Sequence, residues 1–317
     1  MIQNRSSTNE QEQEETINYK LGNIDDYELI GRIGRGKYST VFSGIRKDGI
    51  LCVLKVLRPV KIAKINREIK VLIALRKCPF VTKLYDVVQD PESLFITLVM
   101  EYVFTTDFKQ FIIQLTTHDL SLYMYQILKA LDHAHSHGIM HRDIKPGNIM
   151  IDANSKKLRV IDWGLAAYYS PQTAYPVRVA TRNYKAPELL LNYNYYDFSV
   201  DIWGLGCTFA TFLFRKMPFF RGRDPDELLL NIAQVCGSDE LFQFANDYKL
   251  RIPQHLVPKL TAQKKKNWDH WKTDDNAHLF VPEALDLLSK MLVIDPKKRI
   301  TAKEALEHPY FNYAFEK

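Results

Sequence analysis

The spacing of apolar residues changes character once along this chain, and that change restricts the fold more than any other feature. From Tyr27 to about Val103 the apolar residues come in short runs broken by glycine or charge, as in YELIGRIG, YSTVFSGI, ILCVLKVL and LFITLVMEYV, the pattern of antiparallel strands. One helix is expected to interrupt them over residues 63–75, where Ile65, Ile69, Leu72 and Ile73 recur at helical spacing beside Glu68 and Lys70. Beyond Asp107 the apolar residues return at i, i+3 and i+4 over long segments, LSLYMYQILKALDHAH and VDIWGLGCTFATFLF among them. The fold class expected is therefore α+β, with a small antiparallel sheet lobe over residues 23–103 and a larger, mainly helical lobe over 104–312. A length of 317 residues suits two lobes, because single cores stop growing at roughly 250–300 residues. Neither a repeat nor a low-complexity linker separates them, so they should form one unit. Residues 1–22 are expected to form a tail, partly mobile over the first twenty or so, where Gln, Glu, Asn, Ser and Thr dominate.

Composition excludes several classes. The four cysteines, Cys52, Cys78, Cys207 and Cys236, have no CxxC pairing, so neither a zinc site nor a disulfide framework is expected and a reducing compartment fits best. The first thirty residues are polar, and charge breaks the apolar runs, as Glu101 does in LVMEYVF. No signal peptide or membrane span is expected, and the cytoplasm and nucleus are the expected locations. A net charge of +6 suits acidic partners of any kind, and position has to choose between them. The basic run Lys264–Lys266 reads as a solvated loop rather than a nucleic-acid patch, since nothing aromatic or periodic organises it.

The chemistry concentrates in a few segments. His141-Arg142-Asp143-Ile144-Lys145-Pro146-Gly147-Asn148 joins a long helical stretch to the strand-like IMID. It brings together a carboxylate able to accept a hydroxyl proton (Asp143), a cation able to neutralise a moving phosphoryl group (Lys145) and a metal-ligating amide (Asn148). Asp162 ends the strand-like KLRVID just before Trp163-Gly164-Leu165, and with Asn148 it would supply the one or two protein oxygens that magnesium takes. Upstream, Ile33-Gly34-Arg35-Gly36-Lys37-Tyr38-Ser39-Thr40-Val41 is a GxGxxS loop of the kind whose amides approach phosphate oxygens, although hairpin turns also use GxG for purely conformational reasons. Lys55, within the apolar CVLKVL, requires a carboxylate or phosphate beside it, and Glu68 in the expected helix is the candidate. Glu188, in Ala186-Pro187-Glu188, is expected to pair with Arg299, and Asp201 to brace the backbone around Asp143, because buried charges must be matched.

In this order and at these intervals the segments resemble the signatures of eukaryotic protein kinases. More narrowly, GRGKYSTVF, RPVKxxKxxREIKVL, HRDIKPGNIMID, DWGLA, VRVATRNYKAPELL and FRKMPFF resemble the casein kinase 2 catalytic (alpha) subunits, from about Gly22 to Phe311. The resemblance implies a bilobal kinase fold that transfers the terminal phosphoryl group of ATP, with Mg2+, to Ser or Thr followed by acidic residues. It implies catalytic roles for Asp143, Lys145, Lys55 and Glu68, and metal ligation by Asn148 and Asp162. The nucleotide would lie against Ile33, Gly34, Arg35, Gly36, Lys37, Tyr38, Ser39, Thr40, Val41, Val53, Lys55, Glu101, Val103 and Ile161. Bulky Val53 and Ile161, matching the residues that sandwich the base, imply that GTP can replace ATP. Arg178, Arg182, Lys185, Lys61, Lys64 and Arg67 would meet acidic protein substrates, and Trp163, where most kinases carry Phe, resembles a device for constitutive activity. A regulatory beta subunit, completing a tetrameric holoenzyme, would dock on Leu29, Phe42, Leu54 and Val99. The chain departs from that family where Ile62, Ala63 and Asn66 interrupt its lysine run, and at Gly147 and Met100, where His and Phe are usual. Two other readings stay open: a proline-directed or splicing-type kinase, whose TRxYR segment TRNYK also resembles, and a pseudokinase scaffold, disfavoured because Lys55, Asp143 and Asp162 are all present.

Overall fold

The computed structural model describes residues 19–36, 38–59 and 61–316, so the expected mobile stretch up to residue 18 and the loop residue Lys37 lie outside the described residues. Two compact units emerge. One takes the described residues up to Phe104 together with Ile161–Gly164; the other takes Thr105–Val160 and Leu165 onward. The interval 161–164, which chain order alone had put in the helical lobe, thus packs with the sheet.

The first unit is built on five antiparallel strands, β1 (Tyr27–Arg35), β2 (Ser39–Arg46), β3 (Leu51–Leu57), β4 (Leu84–Gln89) and β5 (Ile96–Glu101), in the order β1-β2-β3-β5-β4. Its one long helix, α1 (Ile62–Ala74), sits within a residue of the expected span and buries Ile65, Glu68, Ile69, Val71 and Leu72 on one side. Buried apolar residues at i, i+4 and i+7 are what a helix packed along one face requires.

The second unit carries α2 (Phe108–Gln114), α3 (Thr117–Ser136), α4 (Pro187–Leu190), α5 (Ser199–Leu213), α6 (Pro225–Cys236), α7 (Ser238–Asp247), α8 (Val257–Thr261), α9 (Pro282–Met291) and α10 (Ala302–Leu306). Two small sheets accompany them: β6 (Ile139–Met140) pairs with β9 (Ala167–Tyr168), and β7 (Ile149–Asp152) with β8 (Lys157–Val160). Helix α3 starts where Thr116 Oγ1 accepts the Asp119 N–H at 3.1 Å and stops before Gly138, whose φ of +71° few other residues adopt. Every residue of α5 is buried, which explains a sequence apolar all round rather than striped. Gly204 within it is a packing requirement: a Cβ there would lie 2.7 Å from the carbonyl oxygen of Ile144. Glycine at this position of α5 thereby lets the backbone beside Asp143 rest directly on the core helix.

All four cysteines are free and buried, and among the described residues no helix is long and apolar enough to cross a membrane.

Candidate active site

In the first unit, strand alternation decides which residues face together. Val41 lies opposite Lys55 and Lys55 opposite Leu98, while Ser43, Val53 and Met100 form the next rung. Val41, Val53 and Lys55 therefore share one face of the sheet. The Lys55 ammonium contacts Glu68 Oε1 of α1 at 2.8 Å and Asp162 Oδ1 at 2.8 Å. Burial alone would pull the Lys55 pKa down; the two carboxylates outweigh it and hold the group above the ordinary lysine range. Asp162 adopts a left-handed φ of +59°, and its side chain remains 48% exposed. Beside it, a Cβ on Gly164 would press within 3.1 Å of Glu68 Oε2, so glycine there protects the ion pair's geometry.

The glycine loop is the turn between β1 and β2, closed by the Gly36 N–H donating to Ser39 O at 2.9 Å. Around it Arg35 pairs with Thr40, Ile33 and Tyr38 are exposed and Ser39 is buried. A Cβ at Gly34 or Gly36 would meet nothing nearer than 3.5 Å, so packing does not demand glycine at either place. Close approach of an anion to the backbone supplies a reason. Glu101 is buried, with its N–H donating to Lys83 O at 2.9 Å, and Val53, Val103 and Ile161 are half-buried.

The opposite face of the sheet corrects one expectation. Phe42, Leu54 and Val99 lie side by side across β2, β3 and β5, but Leu54 and Val99 are 4% and 0% exposed. They form an apolar cluster with Cys52 and Val88, covered by Ile24, Tyr27, Phe42 and Tyr85. Leu54 and Val99 are thus sheet core rather than contact surface; of the four expected docking residues, Leu29 is exposed and Phe42 half-buried.

In the second unit the segment after β6 is braced as expected. Asp201 of α5 accepts the His141 N–H at 2.8 Å and the Arg142 N–H at 2.7 Å, and His135 Nε2 lies 3.0 Å from it. Burial would raise the Asp201 pKa; the hydrogen bond and charge of His135 and the backbone donors outweigh it and hold the carboxyl below its usual value. With the backbone pinned and Arg142 at φ +67°, the chain turns so that Asp143 meets four donors. Thr181 N and Oγ1 reach its Oδ1 at 2.7 and 2.8 Å, while Lys145 Nζ and Asn148 Nδ2 reach its Oδ2 at 2.7 and 3.1 Å. Lys145 also donates to Thr181 Oγ1 at 2.6 Å, and Asn148 Nδ2 to the Asp143 carbonyl at 2.8 Å. Because the Asn148 amide nitrogen is spent on Asp143, its oxygen is the atom left to act as a ligand. Thr181 was not among the expected site residues; nothing local marks it, since it stands 38 residues from Asp143.

The basic residues separate. Arg178 is exposed, whereas Arg182 Nη1 donates to Arg223 O at 2.6 Å and Lys185 Nζ to Val177 O at 3.3 Å. Burial, and then the charge of Arg182, lowers the Lys185 pKa. On α1, Lys64 is exposed with its ammonium 5.7 Å from the Tyr38 ring centre; Lys61 just before the helix is exposed and Arg67 half-buried. Glu188 and Arg299 form the expected ion pair, both side chains fully buried.

The structure therefore unites Lys55, Glu68 and Asp162 in one unit and Asp143, Lys145 and Asn148 in the other. Asp162 in the first unit and Asn148 in the second each carry a hard oxygen of the kind magnesium takes, and in the first unit a cation clamped between two carboxylates fits phosphate. A family model described as the protein kinase domain matches residues 27–311. The chain belongs to the protein kinase family.

Proposed function

We propose that this kinase is a serine/threonine enzyme of the casein kinase 2 alpha type. The observation that carries the amino-acid class is the contact of Thr181 Oγ1 with Asp143 Oδ1 at 2.8 Å, in which an aliphatic hydroxyl already sits on the base with Lys145 beside it. In transfer, the Ser or Thr hydroxyl of the substrate gives its proton to Asp143. Its oxygen forms the new bond to the γ-phosphorus, and the bond from that phosphorus to the bridging oxygen breaks, releasing ADP. Lys145 offsets charge on the moving group, and Lys55, oriented by Glu68, holds the nucleotide phosphates. Asp162 and Asn148 each offer an oxygen to magnesium, which when bound neutralises charge on the phosphates.

Arg178, with Lys61, Lys64 and Arg67, supports an acidic substrate preference, and Val53 with Ile161 supports use of GTP. The backbone partners of Arg182 and Lys185 favour an architectural role for those two, and with it a second reading, a proline-directed kinase of the same group. A regulatory beta subunit remains a proposed partner, with Leu29 and Phe42 as the residues open to it; co-elution on size exclusion tests it. The deciding experiment is a peptide-library phosphorylation profile run with ATP and then GTP. Preference for Ser followed by Asp and Glu is expected, lost in Arg178→Ala. Preference for Ser-Pro would replace the casein kinase 2 reading, and Asp143→Asn with undiminished transfer would overturn the assignment of the base.

A further inference from the structure

Arg142 adjoins the base in sequence, yet its side chain serves a different set of groups. The guanidinium, in a residue 7% exposed, donates from Nε to Leu165 O at 2.7 Å and from Nη1 to the Tyr196 hydroxyl at 3.2 Å. Tyr196, 1% exposed, passes the connection on by donating its own O–H to Pro176 O at 2.8 Å. One arginine thus holds two points of the segment that leads to Thr181, one directly and one through a phenol. Its own backbone is held by Asp201. The same stretch is secured again near Pro176: the Tyr175 N–H donates to Asn194 O at 2.7 Å, and the Tyr175 hydroxyl accepts the Ser170 N–H at 2.7 Å. The rings of Tyr175 and Tyr196 lie 5.5 Å apart.

Activation segments in kinases are commonly ordered by phosphorylation, through new pairs between arginine and phosphate. Both side-chain partners of Arg142 here are neutral oxygens. We infer that Tyr196 is a positioning residue for phosphoryl transfer, its hydroxyl joining Arg142 to Pro176 so that Thr181 and the segment bearing Arg178 keep their register on Asp143. Tyr196 touches no reacting atom and acts through Arg142 and the backbone. The inference rests on the kinase reading above.

Tyr196→Phe tests it, since the ring and its contact with Tyr175 stay and the hydroxyl alone goes. Losing that hydroxyl strands a buried guanidinium N–H and a carbonyl, and kcat/KM for peptide should fall by about tenfold. KM for ATP should stay unchanged, because Lys55, Glu68 and the glycine loop are untouched. Arg142→Lys, which keeps the charge but loses the guanidinium fork, should give the same split, and the two losses should not multiply in the double variant. A purely structural role would instead move the ATP and peptide constants together. Tyr196→Phe with parental peptide kcat/KM, or losses that multiply, would overturn the inference and leave the kinase reading intact. Absence of phosphoryl transfer to any peptide by the parent protein would sink that reading instead.

Discussion

Replacing Glu188 by Gln should unfold this protein at a markedly lower temperature, by an amount the geometry allows one to estimate. Arg299 has five N–H donors, and each has an acceptor. Nε donates to Val293 O at 2.9 Å, Nη1 to Glu188 Oε1 at 2.8 Å and Ser199 O at 2.7 Å, and Nη2 to Glu188 Oε2 at 3.0 Å and Ile294 O at 3.1 Å. The guanidinium also lies 5.1 Å from the Trp203 ring centre. Glu188→Gln keeps the shape, removes the countercharge and turns one acceptor into a donor facing a donor. Two unit charges 4 Å apart attract by about 4 kcal/mol at an effective dielectric of about 20. Breaking a buried pair from one side costs about 3–5 kcal/mol, in agreement. With an unfolding entropy of about 0.7 kcal/mol/K for a chain of 317 residues, the midpoint should fall by about 6 °C in a calorimetric scan. Glu188→Met with Arg299→Met should recover part of that loss, because apolar pairs replace buried ion pairs at little net cost. A midpoint for Glu188→Gln within about 1 °C of the parent, or a double variant weaker than the sum of the singles, would refute the reasoning.

Three further outcomes are expected. Lys55→Met leaves Glu68 and Asp162 without their shared cation, so turnover should drop by at least about 10²-fold and the nucleotide-induced rise in melting temperature should vanish. Gly164→Ala places a Cβ 3.1 Å from Glu68 Oε2, which should disturb the Lys55 ion pair enough to raise KM for ATP while melting changes little. Asp201 has a folded-state pKa below its unfolded value, despite burial, because His135 and the backbone donors favour the anion. Its contribution is therefore present at neutral pH and lost as pH falls below the ordinary aspartate range and through the folded pKa. Asp201→Asn should be less stable than the parent at pH 7 and converge with it in acid melts.

Much of the fold was legible because it follows from periodicity. The four short apolar runs became β1, β2, β3 and β5, while β4 lies in none of them; the helical spacing of Ile65, Ile69 and Leu72 became α1, and the all-round apolar DIWGLGC became the buried α5. The association of Ile161–Gly164 with the sheet unit was not legible, since its contacts there, the Lys55–Asp162 ion pair among them, join residues about a hundred positions apart. Leu54 and Val99 failed as docking residues for a physical reason that lies close at hand. Alternation does put them with Phe42 on the face away from Lys55, but a pattern of two says nothing about what covers a face, and Ile24, Tyr27 and Tyr85 cover this one.

The site divides along the same line. Asp143, Lys145 and Asn148 were legible because five successive steps of chain bring them together whatever the rest of the molecule does. Thr181 and Tyr196 were not, because each reaches its partner only after the chain has passed through β7, β8 and β9 and turned at Ala180, whose φ is +62°. What such residues supply is restraint rather than chemistry. As the proposed base, Asp143 needs its carboxylate to point one way, and three of its four donors, the Thr181 pair and Lys145, are linked to one another through the Thr181 hydroxyl. A substrate hydroxyl approaching Asp143 must compete with that hydroxyl or share its oxygen. On the inference drawn above, the hold of Tyr196 and Arg142 on the segment before Thr181 therefore bears on the rate of transfer through Asp143, although Tyr196 touches no reacting atom.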